Sequence, residues 1–327
     1  MRLSIVIPVF NEQDSIEALF KRLTPVIDEL HPECEVICVD DGSSDGTIDR
    51  LLAVQAKDPR VQIMALSRNF GKEAALTAGL DQASGDAVLF MDADLQHPPE
   101  LIPEFLGKLS EGWDVAYGVR VSRKEESPLR ATFSRVFYAL MARTSESPLP
   151  RDAGDFRILS RRVADALRQL QERQRFMKGL FAWVGFKQAA IPYVVEPRRH
   201  GKSSWSMLRL AGYAWSGLIS FTSLPLRIWS MLGLFVALAS GAYASWIVAD
   251  TLINGADLPG YPTIVTAIFF LGGVQLLSIG ILGEYVARIF TETKQRPVYL
   301  VGNLFKAEKK ASQETPARVV RLDVLGN

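Results

Sequence analysis

Short apolar runs and longer amphipathic stretches alternate over the first 120 residues of the chain. The apolar runs, each the length of a strand, are Leu3–Val9, Val36–Val39, Val61–Leu66, Ala87–Met91 and Val115–Tyr117. Strands that are buried on both faces have this continuous apolar pattern, and the stretches between them have the length of helices. The alternation predicts an α/β domain whose mostly parallel sheet has helices on both sides.

The pattern changes after residue 120. Residues 128–183 are expected to be helical with an interruption at Pro148–Gly154, and Gln188–Val195 is expected to form a further strand. Trp205–Phe221 mixes aromatic, apolar and small polar residues, and we interpret it as a helix that lies in a membrane interface. A helix that packs on the sheet is the alternative for this segment.

Two uncharged segments of the last third, Ile228–Val248 and Thr263–Gly283, are long enough to cross a hydrocarbon core of roughly 30 Å. Lysines and arginines lie before the first segment and after the second. The connector between them, Ala249–Pro262, has Asp250 and Asp257 but no Lys or Arg. The positive-inside rule therefore predicts a multi-pass protein of the cytoplasmic membrane with both termini in the cytoplasm.

The predicted organisation has five parts. These are a cytoplasmic domain (1–200), a basic loop with the interfacial helix (201–227), two membrane helices (228–249 and 263–285) and a cytoplasmic tail (286–327). Two spans have little surface to bury against one another, so a homo-oligomer is a further possibility.

Composition and charge exclude some classes of function. The 37 Lys and Arg residues nearly balance the 36 Asp and Glu residues, so we expect no nucleic-acid partner. Cys34 and Cys38 have no His or further Cys to complete a ligand set, so we expect buried apolar residues and no redox or zinc site. The first residues have the pattern of a strand and lack that of a signal peptide.

Polar residues follow three of the predicted strands, and Asn11-Glu12 comes after the first of them. Asp92-Ala93-Asp94 comes after the fourth strand, and its carboxylates are the hard oxygen ligands that Mg²⁺ or Mn²⁺ prefers, with Gln96 as a further oxygen ligand. Asp40 and Asp41 follow the second strand and can accept hydrogen bonds from a base or a ribose, although a plain helix cap is the alternative there. Ligands of such sheets bind beyond the carboxyl ends of the strands.

Longer motifs resemble a known family. Ile7–Glu12, Val39–Thr47 and Asp92–Gln96 resemble the inverting glycosyltransferase family 2, whose fold is GT-A. Ser67–Glu73, Gly154–Arg157 and Phe176–Gly179 are similar, more narrowly, to the polyprenyl-phosphate glucosyltransferases. The resemblance covers about residues 1 to 300 and implies that a sugar moves from a nucleotide-sugar to a lipid phosphate at the cytoplasmic face of a bilayer.

The resemblance also implies roles for particular residues. Asp94, Asp155 and Arg157 are the expected catalytic residues, and Asp155 would orient a sugar hydroxyl or act as a base. The expected metal ligands are Asp92, Asp94 and Gln96. The expected nucleotide-sugar ligands are Pro8, Phe10, Glu12, Asp40, Asp41, Lys72, Asp92, Ala93, Arg199 and Lys202. The expected ligands of the lipid phosphate are Arg120, Arg130 and Ser134.

For several of these residues a structural role is the alternative. Asp155 can pair with Arg157 or a nearby arginine, Arg157 can be structural, and Lys72 can be a solvated helix residue. The residues assigned to the lipid phosphate can form a solvated or lipid-facing basic surface.

One motif departs from the pattern. The family usually has Gly-x-Ser-Lys-aromatic before the membrane, and this chain has Ser204 at the lysine position. Lys202 or Arg199 is the expected substitute cation, and a basic loop that attracts anionic headgroups is the alternative.

The expected reaction moves glucose from UDP-glucose to undecaprenyl phosphate. GDP-mannose, UDP-galactose and UDP-N-acetylhexosamine are the alternative donors. A processive polysaccharide synthase is disfavoured, because the chain has only two candidate spans and no Gln-x-x-Arg-Trp motif. A non-catalytic membrane partner that binds a nucleotide-sugar is the alternative from a different class of function.

Overall fold

The computed structural model describes residues 1–30, 33–120, 153–170, 172–173, 175–194, 224–254 and 260–306. Within these ranges the strands are β1 (Leu3–Val9), β2 (Cys34–Asp40), β3 (Val61–Leu66), β4 (Ala87–Phe90), β5 (Val115–Arg120), β6 (Ala153–Ser160), β7 (Gln188–Tyr193) and β8 (Val301–Phe305). The helices are α1 (Ile16–Leu30), α2 (Thr47–Gln55), α3 (Lys72–Gln82), α4 (Ile102–Ser110), α5 (Arg161–Gln169), α6 (Met177–Trp183), α7 (Leu224–Asn254) and α8 (Tyr261–Thr293).

The described strands form one mixed sheet in the order β7-β5-β6-β4-β1-β2-β3-β8. Strands β1 to β4 are parallel, and β5 and β7 point the same way, whereas β6 and β8 are antiparallel to their neighbours. The prediction of an α/β domain with a largely parallel sheet is confirmed. All six predicted strands occur, with shifts of one to three residues at some of their ends.

A layer of helices covers each face of the sheet, because the strand side chains alternate between two apolar clusters. Ile5 and Ile7 of β1 join one cluster with α1, α2 and α4. Val6 lies on the opposite face and joins a second cluster with α3, α5 and α6. Cys34 and Cys38 are buried free thiols, as the sequence predicts.

The prediction of helix over residues 128–183 is wrong at 153–160 and confirmed at 161–169 and 177–183. Ala153–Ser160 is strand β6, which lies between β4 and β5 and pairs with both. Helices α5 and α6 follow β6 and are short. The remainder of the segment, 128–152, lies outside the described residues, as does the predicted interfacial helix at Trp205–Phe221.

Two long apolar helices follow the sheet domain. Many large apolar side chains of α7 and α8 are exposed, among them Phe235, Leu238 and Leu276. Of the helices that the structure describes, one contains a stretch that is long and apolar enough to cross a membrane, Phe270–Thr293, and Ile228–Tyr243 is a shorter apolar stretch.

The end of α8 is tied to the sheet domain. Residues 294–300 lead from α8 to β8, whose first residue, Val301, pairs with Leu66 at the end of β3. The Glu292 carboxylate near the end of α8 accepts a hydrogen bond from the backbone N–H of Arg173 at 2.9 Å. The Tyr299 hydroxyl donates to Asp81 at 2.9 Å. Strand β8, which follows the second long helix, therefore begins at the carboxyl edge of the parallel strands.

Candidate active site

Loops that carry polar side chains leave the sheet at the carboxyl ends of β1 to β4. Strand β6 runs the other way, so its beginning lies at this same edge. The antiparallel register of β4 and β6 pairs Phe90 with Arg157. If the same register continues for two residues, Asp92 lies opposite Asp155. The sheet therefore gathers carboxylates from distant parts of the sequence along one edge.

Hydrogen bonds tie the first two loops to each other. The backbone N–H of Asn11, whose φ is 53°, donates to Ser43 Oγ at 2.9 Å, and the Ser44 N–H donates back to Asn11 Oδ1 at 2.9 Å. The Glu12 N–H donates to Thr47 Oγ1 at 2.9 Å. Phe10, which directly precedes Asn11, is exposed. This expected nucleotide ligand therefore lies next to the hydrogen-bonded contact between the two loops.

Other expected nucleotide ligands near these loops are less accessible. Pro8 is partly buried within β1. Asp40 is fully buried, and its Oδ2 accepts the Ser43 N–H at 3.1 Å. Asp41 is buried as well, and its two oxygens accept the N–H groups of Phe70 at 2.7 Å and of Gly71 at 2.9 Å. Burial raises the pKa of Asp41 despite these two bonds. Asp41 thus holds the loop after β3 in place, and its contact with a nucleoside stays a prediction.

Two glycines allow the second and third loops to meet. Gly42 has a φ of +72°, and a Cβ there would lie 2.6 Å from the backbone carbon of Arg68. Gly71 has a φ of +99° and precedes the first residue of α3. Both positions lie in the left-handed region that favours glycine. The chain therefore turns sharply just before Lys72.

Lys72 joins two carboxylates of different strands. Its ammonium nitrogen lies 2.6 Å from Asp92 Oδ1, beyond β4, and 2.6 Å from Asp155 Oδ2, on β6. Burial opposes the ionisation of both carboxyls, but the charge of Lys72 outweighs it and holds the pKa of Asp92 and the pKa of Asp155 below their ordinary values. Lys178 of α6 also lowers the pKa of Asp155. The pKa of Lys72 is raised, because Asp155 and Asp92 favour its charged form.

Burial alternates along the turn after β4. Asp92, Asp94 and Gln96 are partly exposed, whereas Ala93 and Leu95 are buried. The Gln96 N–H donates to Asp94 Oδ1 at 3.1 Å, and Leu95 has a φ of +63°. The three expected metal ligands are therefore the partly exposed side chains of one turn. The Ala93 side chain lies in the core, so only its backbone can face a ligand.

His97 fixes the other end of this turn. Its Nδ1 accepts the backbone N–H of Asp92 at 3.0 Å, and its ring stacks on Phe156 with centroids 4.9 Å apart. Burial is the largest effect on the ring and lowers the pKa of His97. The imidazole is therefore a neutral hydrogen-bond acceptor that sets the direction of the Asp92 backbone.

Arg157 is buried, whereas Asp155, two residues earlier on β6, is partly exposed. Only 3% of Arg157 is exposed, its guanidinium donates to the Gly154 carbonyl at 2.6 Å, and it lies 3.9 Å above the Phe181 ring. The arginine is therefore inside the domain, where it supports the backbone that carries Asp155. This burial favours the structural alternative for Arg157, and its catalytic role stays a prediction. Arg157 and Asp155 are two residues apart on β6, so both side chains lie on the same face of the sheet.

The expected lipid-phosphate ligand Arg120 ends β5 beside Tyr193 of β7. Asp92 and Asp94 are among the groups that raise the pKa of Arg120 against the effect of burial. Arg120 therefore lies on the same edge as the carboxylates. Four other expected ligands lie outside the described residues, namely Arg130, Ser134, Arg199 and Lys202.

The sequence analysis missed several residues that shape this site. Glu73 accepts the Met177 N–H at 3.0 Å and so joins the start of α3 to the start of α6. Lys178 lies in the motif Phe176–Gly179, but nothing in the local sequence indicates that its charge lowers the pKa of Asp155. His97 follows the acidic motif directly, and its position is the one signal that pointed to it.

The fold and this acidic edge define a GT-A-like α/β enzyme. The chain belongs to glycosyltransferase family 2: the family described as "Glycosyl transferase family 2" matches residues 4–168, and a second family, "GtrB C-terminal hairpin", matches residues 224–289. The protein is thus a glycosyltransferase with a C-terminal hairpin.

Similar proteins match nearly the whole chain. A glycosyltransferase of Synechocystis sp., described as uncharacterized, is 47% identical over 94% of this chain and 97% of its own length. A bactoprenol glucosyl transferase of Shigella phage SfV is 42% identical over 93% of this chain and 99% of its own length. Among solved structures, glucosyl-3-phosphoglycerate synthase of Mycobacterium tuberculosis matches 65% of this chain and 77% of that chain, with 22% identity and a TM-score of 0.46.

Proposed function

We propose that this protein moves a hexose, expected to be glucose from UDP-glucose, onto a polyprenyl phosphate at the cytoplasmic surface of a membrane. One observation carries the proposal: β8, which follows the apolar helix α8, begins at the same edge of the sheet that holds Asp92, Asp94 and Asp155. A lipid phosphate at a membrane surface beside the start of β8 would therefore face the same edge of the sheet as these carboxylates. The similarity to a bactoprenol glucosyl transferase over nearly the whole chain supports the same acceptor.

The chemistry needs little from a general base. An acceptor phosphate is already anionic near neutral pH, since its second pKa is about 6. Its oxygen would attack the anomeric carbon, the new carbon–oxygen bond would form, and the electron pair of the broken bond would leave with the nucleoside diphosphate. A single displacement of this kind inverts the anomeric carbon. Holding the two anions in line supplies a large part of the rate enhancement.

Asp155 fits the role of orienting a sugar hydroxyl better than the role of a base. A carboxylate whose pKa is held low by Lys72 binds a proton weakly, but it remains a strong hydrogen-bond acceptor. The hydroxyl of a donor sugar is a suitable partner for it. Of the two roles left open by the sequence, the ion pair therefore favours orientation.

A divalent cation is compatible with the residues after β4. The carboxylates of Asp92 and Asp94 and the side-chain oxygen of Gln96 are hard donors on one turn. Within the described ranges no group of three His, Cys, Asp or Glu residues could hold a metal ion, so we expect diphosphate oxygens to complete the coordination shell. Bound Mg²⁺ or Mn²⁺ would neutralise charge on the departing diphosphate.

The remaining assignments extend the proposal to the membrane. Arg120, with Arg130 and Ser134, would bind the acceptor phosphate, and Arg199 or Lys202 would contact the diphosphate. We further propose that both long helices cross the cytoplasmic membrane, that both termini are cytoplasmic, and that the five-part organisation predicted from the sequence holds. A homo-oligomer is compatible with two spans.

A transfer assay tests the reaction class and the donor together. Purified full-length protein is incubated with undecaprenyl phosphate, Mn²⁺ and radiolabelled UDP-glucose, GDP-mannose, UDP-galactose or UDP-N-acetylglucosamine, and label is counted in the lipid phase. We expect label from UDP-glucose, and none when the lipid phosphate is omitted or the metal is chelated. Label from another sugar would keep the reaction and change the donor. No lipid-phase label from any donor, with folded protein, would favour a binding partner without activity.

A further inference from the structure

Lys72 lies where a positive charge is unfavourable on local grounds. It is the first residue of α3, and the N-terminus of a helix carries partial positive charge that favours acidic side chains. The ammonium nevertheless lies within 2.6 Å of two carboxylate oxygens. Lys72 is therefore held at this unfavourable position by its contacts with the two carboxylates, which come from distant parts of the sequence.

The two carboxylates depend on this cation. Asp92 lies just beyond β4 and Asp155 lies on the neighbouring strand β6. One oxygen of each contacts the same nitrogen, so the two carboxylates would repel each other strongly if Lys72 were absent. Their side chains are only 24% and 19% exposed, so water screens that repulsion incompletely. Without Lys72 the pair would attract another cation.

The surroundings aim Lys72 at this position. The N–H of Gly71 donates to Asp41, and the carboxylate of Glu73 accepts the N–H of Met177, so contacts on both sides hold the start of α3. The left-handed φ of Gly71 sets the direction of the next residue. The lysine therefore leaves a backbone that is fixed at both neighbours.

We propose that Lys72 is a positioning residue that serves as an internal cation: it holds Asp155 beside Asp92 in the ligand-free protein and is displaced from Asp92 when a divalent cation arrives with the nucleotide. The inference rests on the proposed function, since it presumes a nucleotide-sugar at this edge. The lysine makes metal binding weak until a diphosphate adds its own negative charge, and it keeps Asp155 placed for the sugar.

Mn²⁺ binding to full-length protein in detergent tests this inference without turnover. Free Mn²⁺ is measured by electron paramagnetic resonance, with and without UDP, for the unaltered protein and for Lys72→Met, Lys72→Arg and Lys108→Met. Lys108 is the matched control, since it pairs with Glu111 on the surface of α4. In the absence of UDP, Lys72→Met should bind Mn²⁺ at least about tenfold more tightly than the unaltered protein, and the other two variants should not.

A loss of structure would weaken Mn²⁺ binding, so tighter binding separates the proposed role from a merely structural one. Equal Mn²⁺ affinity of folded Lys72→Met and unaltered protein would overturn the inference. If Lys72→Met does not fold, Lys72→Gln replaces it, because the amide is neutral and still donates hydrogen bonds to carboxylates. In the unaltered protein, Mn²⁺ affinity should rise at least about tenfold with UDP, and equal affinity with and without UDP would also overturn the inference.

The transfer assay distinguishes failure of this inference from failure of the proposed function. If Lys72→Met binds Mn²⁺ more tightly but the unaltered protein gives no lipid-phase label from any donor, the proposed function is contradicted and the cation role of Lys72 is supported. If Lys72→Met shows unchanged Mn²⁺ binding and unchanged sugar transfer, the cation role is contradicted and the proposed function is supported. We expect Lys72→Met to lower kcat more than it changes KM for the lipid phosphate, and Lys72→Arg to restore part of the rate.

Discussion

Asp94 and Asp92 belong to one short motif but have different surroundings. Asp92 pairs with Lys72 and its backbone is held by His97, whereas Asp94 accepts the N–H of Gln96 across a tight turn. Both carboxylates are assigned to the metal and the diphosphate. Asp92 is in addition paired with Lys72, which also contacts Asp155 of β6.

Asp94→Ala should abolish sugar transfer and leave folding and membrane insertion intact. The side chain is partly exposed and lies outside both apolar clusters, so its loss removes a metal and diphosphate ligand without opening a cavity. We expect kcat/KM to fall by at least about 100-fold in the lipid-phase assay. Thermal unfolding of the same preparation is the control for folding. Substantial metal-dependent transfer by this variant would remove Asp94 from the mechanism.

Glu35 is a buried carboxylate at the opposite edge of the sheet and has a structural role. It accepts hydrogen bonds from the Ser4 hydroxyl at 2.6 Å and from the N–H and hydroxyl of Ser84 at 2.8 Å and 2.9 Å. Burial opposes its ionisation, but these bonds outweigh burial, and the pKa of Glu35 lies below its ordinary value of 4.5. Because the folded pKa is the lower one, ionised Glu35 stabilises the fold above pH 4.5, and that stabilisation is lost as the pH falls through the folded pKa.

Glu35→Gln should therefore lower the free energy of unfolding by about 1–3 kcal/mol near neutral pH, and by progressively less on acidification. The measurement is the thermal unfolding midpoint of the detergent-solubilised protein between about pH 2.5 and about pH 7, a range that extends well below the ordinary carboxyl pKa of 4.5. Glu111→Gln is the control, since Glu111 forms a surface pair that contributes little. A constant difference between Glu35→Gln and the unaltered protein across this range would contradict the argument.

At the scale of the element, the loop after β2 depends on Gly42. Gly42→Ala would put a left-handed φ on a residue with a Cβ and place that Cβ 2.6 Å from the Arg68 backbone and 2.7 Å from the Asn69 nitrogen. The left-handed conformation alone costs roughly 1–2 kcal/mol, and a backbone neighbour cannot rotate away as a side chain can. The loops that we assign to the nucleotide would be pushed apart.

Gly42→Ala should therefore raise KM for the nucleotide-sugar and lower the thermal unfolding midpoint. Gly107→Ala is the matched control, because Gly107 lies in α4 with nothing within 4 Å of an added Cβ. The control should be neutral or stabilise the protein by roughly 0.5–1 kcal/mol. A Gly42→Ala protein with unchanged KM and unchanged stability would show that the loops adapt.

The elements that could be predicted are those with a local signal. Strands β1 and β3 are continuous apolar runs with the bounds expected from the sequence. Strand β6 has no such run, since its first five residues include Gly154, Asp155 and Arg157. It becomes a strand because β4 and β5 flank it, and the short strand β8 likewise depends on β3, which is distant in sequence. Pairing between distant segments leaves little trace in local periodicity.

At the scale of the whole molecule, the proposed orientation in the membrane can be tested by cysteine labelling, because the two native cysteines should be unreactive. Cys34 and Cys38 are buried, and burial raises the pKa of both thiols to about 12, so they should react poorly with maleimides. A single new cysteine on the surface then reports which side of the membrane it faces.

Asp257→Cys, in the connector between the two long helices, should be labelled in intact cells by a maleimide that cannot cross membranes. Ser110→Cys, on the exposed end of α4, should be labelled only after the cells are permeabilised. The unaltered protein is the background control. Labelling of Ser110→Cys in intact cells, or of Asp257→Cys only after permeabilisation, would contradict the proposed orientation.

The amino-acid sequence by itself determined the α/β alternation, most strands, the two long apolar segments and the motifs at the strand ends. These features are local: runs of apolar residues, their period and the residues next to them. Only the tertiary structure decided that Lys72 joins Asp92 to Asp155, that Arg157 lies inside the domain, and that β8, which follows α8, pairs with β3. The physical reason is that these contacts depend on strand order and register, which bring together residues that are far apart in the sequence.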